Sequence, residues 1–210
     1  MATMIRTVAP TAEPVTLDEF KAHARITLPF EDALLETYIT EGREYVEDEW
    51  SVALVNQTWQ FGVDRVPCAT RQNPFASLPL PRWPLQAVSS VKYIGTANST
   101  YAVWATSNYQ VDTGSRPGRV SPLDNGQWPT VINRPNAILV EYTAGFGGST
   151  ASTTQAIAAV PQKVKNAISL YAAWKVRARD VDEAVPKAVH SLMDSVAGGS
   201  YRTWTPDEYL

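Results

Sequence analysis

The chain is poor in the residues from which most catalytic and metal centres are built. Among 210 residues it has one cysteine, Cys68, and two histidines, His23 and His190. A lone cysteine excludes an intramolecular disulfide and a cysteine-rich zinc site. Two histidines so far apart in sequence leave little material for a triad or a histidine zinc centre. A His–Cys dyad is formally allowed, but Cys68 follows Pro67 in a turn-like stretch with no signature around it. Phosphate-cradling, dinucleotide-binding, nucleophile-elbow and zincin motifs are all missing. No cofactor or metal is therefore expected. No run approaches the roughly 18 apolar residues of a membrane span. With no basic-then-apolar leader, the pattern reads as a cytosolic product. A formal charge of -3 is too balanced for the chain to act as an electrostatic glove for nucleic acid.

What is present is enough for a core: 44% of residues are hydrophobic and 19% charged, ordinary values for a folded domain. Thr16 and Glu19 have capping-box spacing, and Leu17, Phe20, Ala24 and Ile26 approximate one apolar face, which predicts a first helix broken at Pro29. Leu34, Leu35, Tyr38, Ile39, Gly42, Tyr45, Val46 and Trp50 recur at three- and four-residue steps and predict a second, longer helix. Past Ser51 the period becomes two. Trp59, Phe61 and Val63 alternate with Gln60 and Gly62, and further strands are expected at Val88–Ile94, Tyr101–Trp104, Tyr109–Asp112, Arg119–Pro122 and Ala137–Thr143. Proline- and glycine-bearing turns separate these strands, and the set suggests a small antiparallel sandwich or barrel-like sheet. Pro81-Arg82-Trp83-Pro84 matches P-x-x-P and reads as a stiffened edge or extended connection. Gly145 to Gln155, rich in Gly, Ser, Thr and Ala, reads as a flexible joint. Pro161 then opens a third helix, a shorter one covers Pro186–Val196, and Gly198-Gly199 stops it.

The fold class expected is α+β. Residues 14–50 and 160–197 form one helical domain from both chain ends, residues 52–147 a β-rich insertion, and residues 198–210 a C-terminal arm.

Charge is segregated by helix. Between Phe30 and Trp50, eight acids, Glu36, Glu44 and Glu47 among them, stand against Arg43 alone, leaving seven negative units. Pro161 to Arg179 carries Lys163, Lys165, Lys175, Arg177 and Arg179 with no acid. Such faces either pair within one bundle or meet between neighbouring copies in a head-to-tail contact. The candidate inter-subunit residues are Glu36, Glu44, Glu47, Lys175, Arg177 and Arg179. Seven tryptophans exceed what a core of this size needs, and Trp83, Trp104, Trp128 and Trp204 fall in turn or tail contexts where they could anchor a partner. The terminal run carrying Tyr201, Arg202, Trp204, Tyr209 and Leu210 has neither helical nor strand period and suits docking into a groove.

In chain order, Pro14-Val15-Thr16-Leu17-Asp18-Glu19, Asp32-Ala33-Leu34-Leu35, Gln57-Thr58-Trp59, Leu80 to Val88, Tyr109-Gln110-Val111-Asp112, Pro117-Gly118-Arg119, Trp128-Pro129, Arg134-Pro135-Asn136-Ala137, Tyr142 to Gly147 and Val160-Pro161 through Trp174 make up an ordered set. It resembles the head-to-tail connector, or adaptor, proteins of long-tailed bacteriophages and gene transfer particles, over roughly Pro14 to Arg179. The resemblance implies a structural, non-enzymatic virion protein assembled in the host cytoplasm. It implies a ring, twelve copies in expectation, beneath the portal vertex, with a tail terminator or stopper as further partner. DNA would pass through the lumen without sequence specificity, and no membrane is involved. A Trp-rich carbohydrate- or peptide-binding module is the competing class, and an enzyme with converging carboxylates a distant third.

Overall fold

The computed structural model describes residues 2–27, 30–71, 73–95, 100–124, 126–148, 150–178 and 184–197. The fold is α+β. Helix α1 (Leu17–Ala24) starts where the sequence says it should. The Thr16 hydroxyl accepts from the Glu19 amide at 3.2 Å, and the Thr16 amide donates to the Glu19 carboxylate at 2.9 Å. It ends earlier than expected. Arg25 adopts the left-handed conformation and the Ile26 amide closes back on the Lys21 carbonyl, so Ala24 is the last helical residue, well before Pro29. Thr16→Ala removes one half of the box and is expected to cost about 1 kcal/mol, read as a lower urea midpoint at unchanged slope.

Helix α2 (Asp32–Glu49) buries Leu35, Ile39, Gly42 and Val46, a stripe with steps of three and four. Helix α4 (Gln162–Arg177) faces it with Val164, Ala167, Ile168, Tyr171 and Ala172. Gly42 permits the close approach: a Cβ there would lie 3.2 Å from the Ile168 carbonyl oxygen. Helix α5 (Lys187–Ala197) packs on α4 with Val189, Met193 and Ala197 buried. Between sheet and α4 the Gly/Ser/Thr stretch holds a further helix, α3 (Thr153–Ala159), with a full capping box between Ser152 and Gln155. The expected joint is thus partly helical, and its start is fixed by the same S-x-x-Q chemistry that fixes α1.

Among the described residues, eight strands make two antiparallel sheets. The larger contains β1 (Ala2–Val8), β2 (Gln57–Val63), β4 (Leu85–Tyr93), β5 (Ala102–Trp104) and β8 (Ile138–Ala144) in the order β1-β2-β8-β4-β5. The smaller contains β3 (Leu78–Pro79), β6 (Tyr109–Asp112) and β7 (Arg119–Pro122) in the order β3-β7-β6. Residues 2–8, outside the expected β-rich segment, join the sheet along β2, with Met4 opposite Phe61 and Arg6 opposite Trp59.

Trp59, Phe61, Val91, Trp104, Val140 and Tyr142 of the large sheet share a core with Leu78, Tyr109 and Val120 of the small one. The outward face of the large sheet is polar at its centre. Glu141 accepts from Lys92 and Ser90, both at 2.9 Å, and these bonds hold its carboxyl below the usual range. A second core collects the helices together with Val52, Leu54 and Trp83 from the strand-bearing segment.

Candidate functional site: the helix–sheet junction and the charged surfaces

Three crossings between helices and sheets run side by side and are tied by backbone hydrogen bonds. The Ala53 amide donates to the Trp83 carbonyl at 2.8 Å, the Gly145 amide to the Pro84 carbonyl at 2.9 Å, and the Phe146 amide to the Leu54 carbonyl at 3.2 Å. Gly145, at φ +149°, sits so close to Asn56 that a Cβ would fall 2.7 Å from its backbone nitrogen. The segment read as an extended connection is the central crossing. Leu80 to Trp83 are buried, and the Trp83 indole N–H donates to the Trp50 carbonyl at 3.2 Å.

Buried charge knots this junction. Glu47 lies four residues after Arg43 on α2, so both side chains point to one face. Its carboxylate accepts from Arg43 at 2.7 Å, from the Leu54 amide at 2.9 Å and from the Gln57 side chain at 2.5 Å. Arg43 also donates through Nε to Glu13 at 2.8 Å. Burial pushes the Glu47 carboxyl up, against the pull of Arg43 and the Leu54 amide. Burial also works against the Arg43 charge, but two carboxylates, Glu47 and Glu13, face one guanidinium and hold it above its ordinary value. Arg82 completes the knot. It donates to the carbonyls of Glu47 and Val52 and to Asp48 at 2.6 Å, with its guanidinium 4.8 Å from the Trp59 ring centroid.

The sequence-based site residues separate under this geometry. Glu36 and Glu44 are exposed on α2, Glu44 lying 3.3 Å from Arg43 and 4.0 Å from Arg6. Arg177 is exposed on α4, donating to its own helix at Ala173. Glu47 needs correcting as a surface acid: at 3% exposure it belongs to the interior of its own chain, because α2 turns that face towards β2. Lys175 pairs with Glu41 of the same chain at 3.0 Å, and that carboxylate holds its ammonium above the usual value. For this pair, pairing within one bundle is the arrangement seen. Arg179 and the run with Tyr201, Arg202, Trp204, Tyr209 and Leu210 lie outside the described residues.

The tryptophans expected at turns are mostly core. Trp83 is 1% exposed and Trp104 7%, and half-buried Trp128 packs 4.8 Å from Trp104 while donating to the Ala76 carbonyl at 2.7 Å. Trp104 and Trp128 pack together within the sandwich core beside Tyr109, whereas Trp83 is taken up by the helical core. These indoles are not free to form a sugar-stacking platform. Cys68 borders an open groove of about 800 Å³ with Phe75, Pro122 and Trp128, whereas His190 meets Tyr45 at 3.2 Å in the helical core. Among the described residues no cluster of three or more His, Cys, Asp or Glu side chains is placed to hold a metal. No helix there is long and apolar enough to cross a membrane.

The residues missed from the sequence are Arg43, Glu13, Gln57 and Arg82. A signal existed for one of them: the only base in an acidic helix, four residues before an acid, is a candidate for a buried pair.

These features define an α+β protein of two cores locked at a charged junction, with sheet and helix surfaces left open. Residues 14–110 match the family described as "Phage gp6-like head-tail connector protein". No curated protein matches the sequence. Among solved structures the fold is similar to a chain from "Neck of empty GTA particle computed with C6 symmetry", at TM-score 0.74 and 19% identity over 97% of this chain and 96% of the other. It is similar also to a chain from "Virion of native gene transfer agent (GTA) particle", at 0.72 and 20% over 97% and 96%. A third, from "Neck of native GTA particle computed with C12 symmetry", gives 0.67 and 22% over 98% and 96%.

Proposed function

We propose that the chain is a head-to-tail connector that assembles, as twelve copies in a ring, beneath the portal of a phage or phage-like particle, with DNA passing through the lumen. The observation that carries this reading is the joint one: a connector-family match over residues 14–110 and a fold shared along 97% of the chain with a neck component. The symmetries in the titles of the similar structures favour a ring, and the family favours a structural, non-enzymatic role in the virion. On this reading the chain assembles in the host cytoplasm and meets the portal on one side and a tail terminator or stopper on the other. Glu36, Glu44, Arg177 and Arg179 are the charged residues offered to neighbouring copies. Exposed pairs are worth only about 0–1 kcal/mol each, so they set register and salt sensitivity more than affinity. Tyr201, Arg202, Trp204, Tyr209 and Leu210 form the portal-binding arm, and repetition around a ring turns weak single docking into firm attachment.

The test mixes purified protein with portal-bearing heads and follows co-sedimentation. The full chain is expected to attach and the chain ending at Ala197 to remain folded but in the supernatant. Trp204→Ala should weaken each site by about 2 kcal/mol, roughly 30-fold. Full attachment of the truncated chain removes the arm from the reading, and failure of the full chain to attach overturns the connector itself.

A further inference from the structure

Among the described residues, the larger sheet leaves two strands with a neighbour on one side only, β1 and β5. Natural edge strands are kept short or blunted by proline, lysine or inward charge, because an open row of N–H and C=O groups recruits another strand. β1 has seven residues, no proline and no lysine. Its one charge, Arg6, faces Trp59 at 5.8 Å and Glu44 at 4.0 Å, and the ladder is regular from Ala2 to Arg6 before a register shift. Of the nine large hydrophobic side chains exposed among the described residues, five, Met4, Ile5, Val8, Tyr101 and Val103, lie on or next to these two strands.

The two edges also match in direction and face. Four antiparallel steps separate β1 from β5, so the strands run the same way. Directly paired residues share a face, and the chain of pairs from Ile5 through Gln60, Glu141 and Ser90, then from Leu139 through Lys92 to Val103, places Ile5 and Val103 on the same outward face. Ile5 is 52% exposed and Val103 67%.

We propose that these edges are the two halves of one copy-to-copy contact, β1 of one chain adding in parallel alongside β5 of the next. Such a contact is heterologous: each copy donates one edge and accepts with the other, so the large sheet continues from copy to copy with Ile5 set against Val103. This rests on the ring reading above and supplies its contact. A two-fold pairing of β1 with β1 would close at a dimer.

Ile5→Lys and Val103→Lys test it, since both sites are exposed and thermal melting should match the wild type. Wild-type protein is expected to form species beyond the dimer in sedimentation velocity as concentration rises. Each variant alone buries a lysine against an apolar edge in every contact and should need about tenfold or more protein to associate. An equal mixture of the two variants still contains one intact pair, the β5 edge of Ile5→Lys with the β1 edge of Val103→Lys, and should stop at dimers. Wild type that stays monomeric, either variant assembling normally alone, or a mixture that stays monomeric overturns the proposal. If the proposal falls while wild type still attaches to portal-bearing heads, the connector reading stands without this contact.

Discussion

Glu47→Ala is expected to remove about 3–5 kcal/mol of folding stability, because it strands a buried cation and not merely a pair. Arg43 has a side chain only 4% exposed and would keep only the more solvent-exposed acids Glu13 and Glu44, losing its one fully buried partner. The Leu54 amide and the Gln57 side chain lose their acceptor in the same stroke. Since domains are stable by about 5–15 kcal/mol, this is a large fraction of the total, and in a chain of this length it should lower the melting temperature by about 10 °C.

Glu47→Gln keeps the shape and one acceptor oxygen, so its loss should be smaller. It also isolates the titration. Burial holds the folded-state carboxyl above its unfolded value. Its contribution is therefore fully present below the unfolded value and is lost as pH rises through the raised folded value. Wild-type stability should fall relative to Glu47→Gln across that window and run parallel to it elsewhere. A loss below about 1 kcal/mol for Glu47→Ala, within the range of an ordinary surface pair, would sink the argument.

The helices and most strands were legible because their signals are local. Steps of three and four along Leu35, Ile39, Gly42 and Val46 need no partner to be recognised, and the same holds for alternation through Trp59, Phe61 and Val63. β6 and β7 fall at the expected residues, Tyr109–Asp112 and Arg119–Pro122. What escaped was non-local or overshadowed. β1 is a strand because β2 offers it an edge, and all but Ala2 of its residues are exposed, so no buried face marks it. β3 has two residues, too few for any period. α3 was hidden by composition: Gly, Ser and Thr suggested a joint, and the capping signal at Ser152 and Gln155 was outweighed by it.

The candidate site was less legible than the fold, for a physical reason. Counting charge along a helix assumes that every acid reaches solvent, whereas α2 has one face on α4 and its last turns against the strand-bearing segment. Glu47 and Glu44 are alike in sequence and opposite in fate, 3% exposed and solvent-facing respectively. Likewise a tryptophan beside prolines looks like a loop residue until the crossing segments stack. Trp83 then proves to be among the most buried rings in the chain.

Trp83→Ala is expected to cost about 3–5 kcal/mol and, in addition, to divide one unfolding transition into two. Trp83 is carried by the strand-bearing segment but lies in the helical core, where Phe146 meets it edge-on at 5.9 Å. The Arg116 guanidinium, from the turn between β6 and β7, lies 4.6 Å from its ring centroid and donates at 3.2 Å to the Val196 carbonyl near the end of α5. One indole therefore couples α2, α5 and the small sheet. In the wild type, far-ultraviolet ellipticity and near-ultraviolet aromatic signals should unfold at the same urea concentration, as two-state behaviour requires. Removal of Trp83 leaves each core with most of its own contacts but takes away the side chain they share, so helical and aromatic signals should separate. Trp104→Ala is the control. Trp104 packs on Tyr109 and Trp128 wholly within the sandwich, so a comparable stability loss there should keep the transitions coincident. If Trp83→Ala also unfolds in a single coincident step, the charged knot of Glu47 and Arg82 couples the cores without the indole, and the Glu47 variants should then be the ones whose transitions divide.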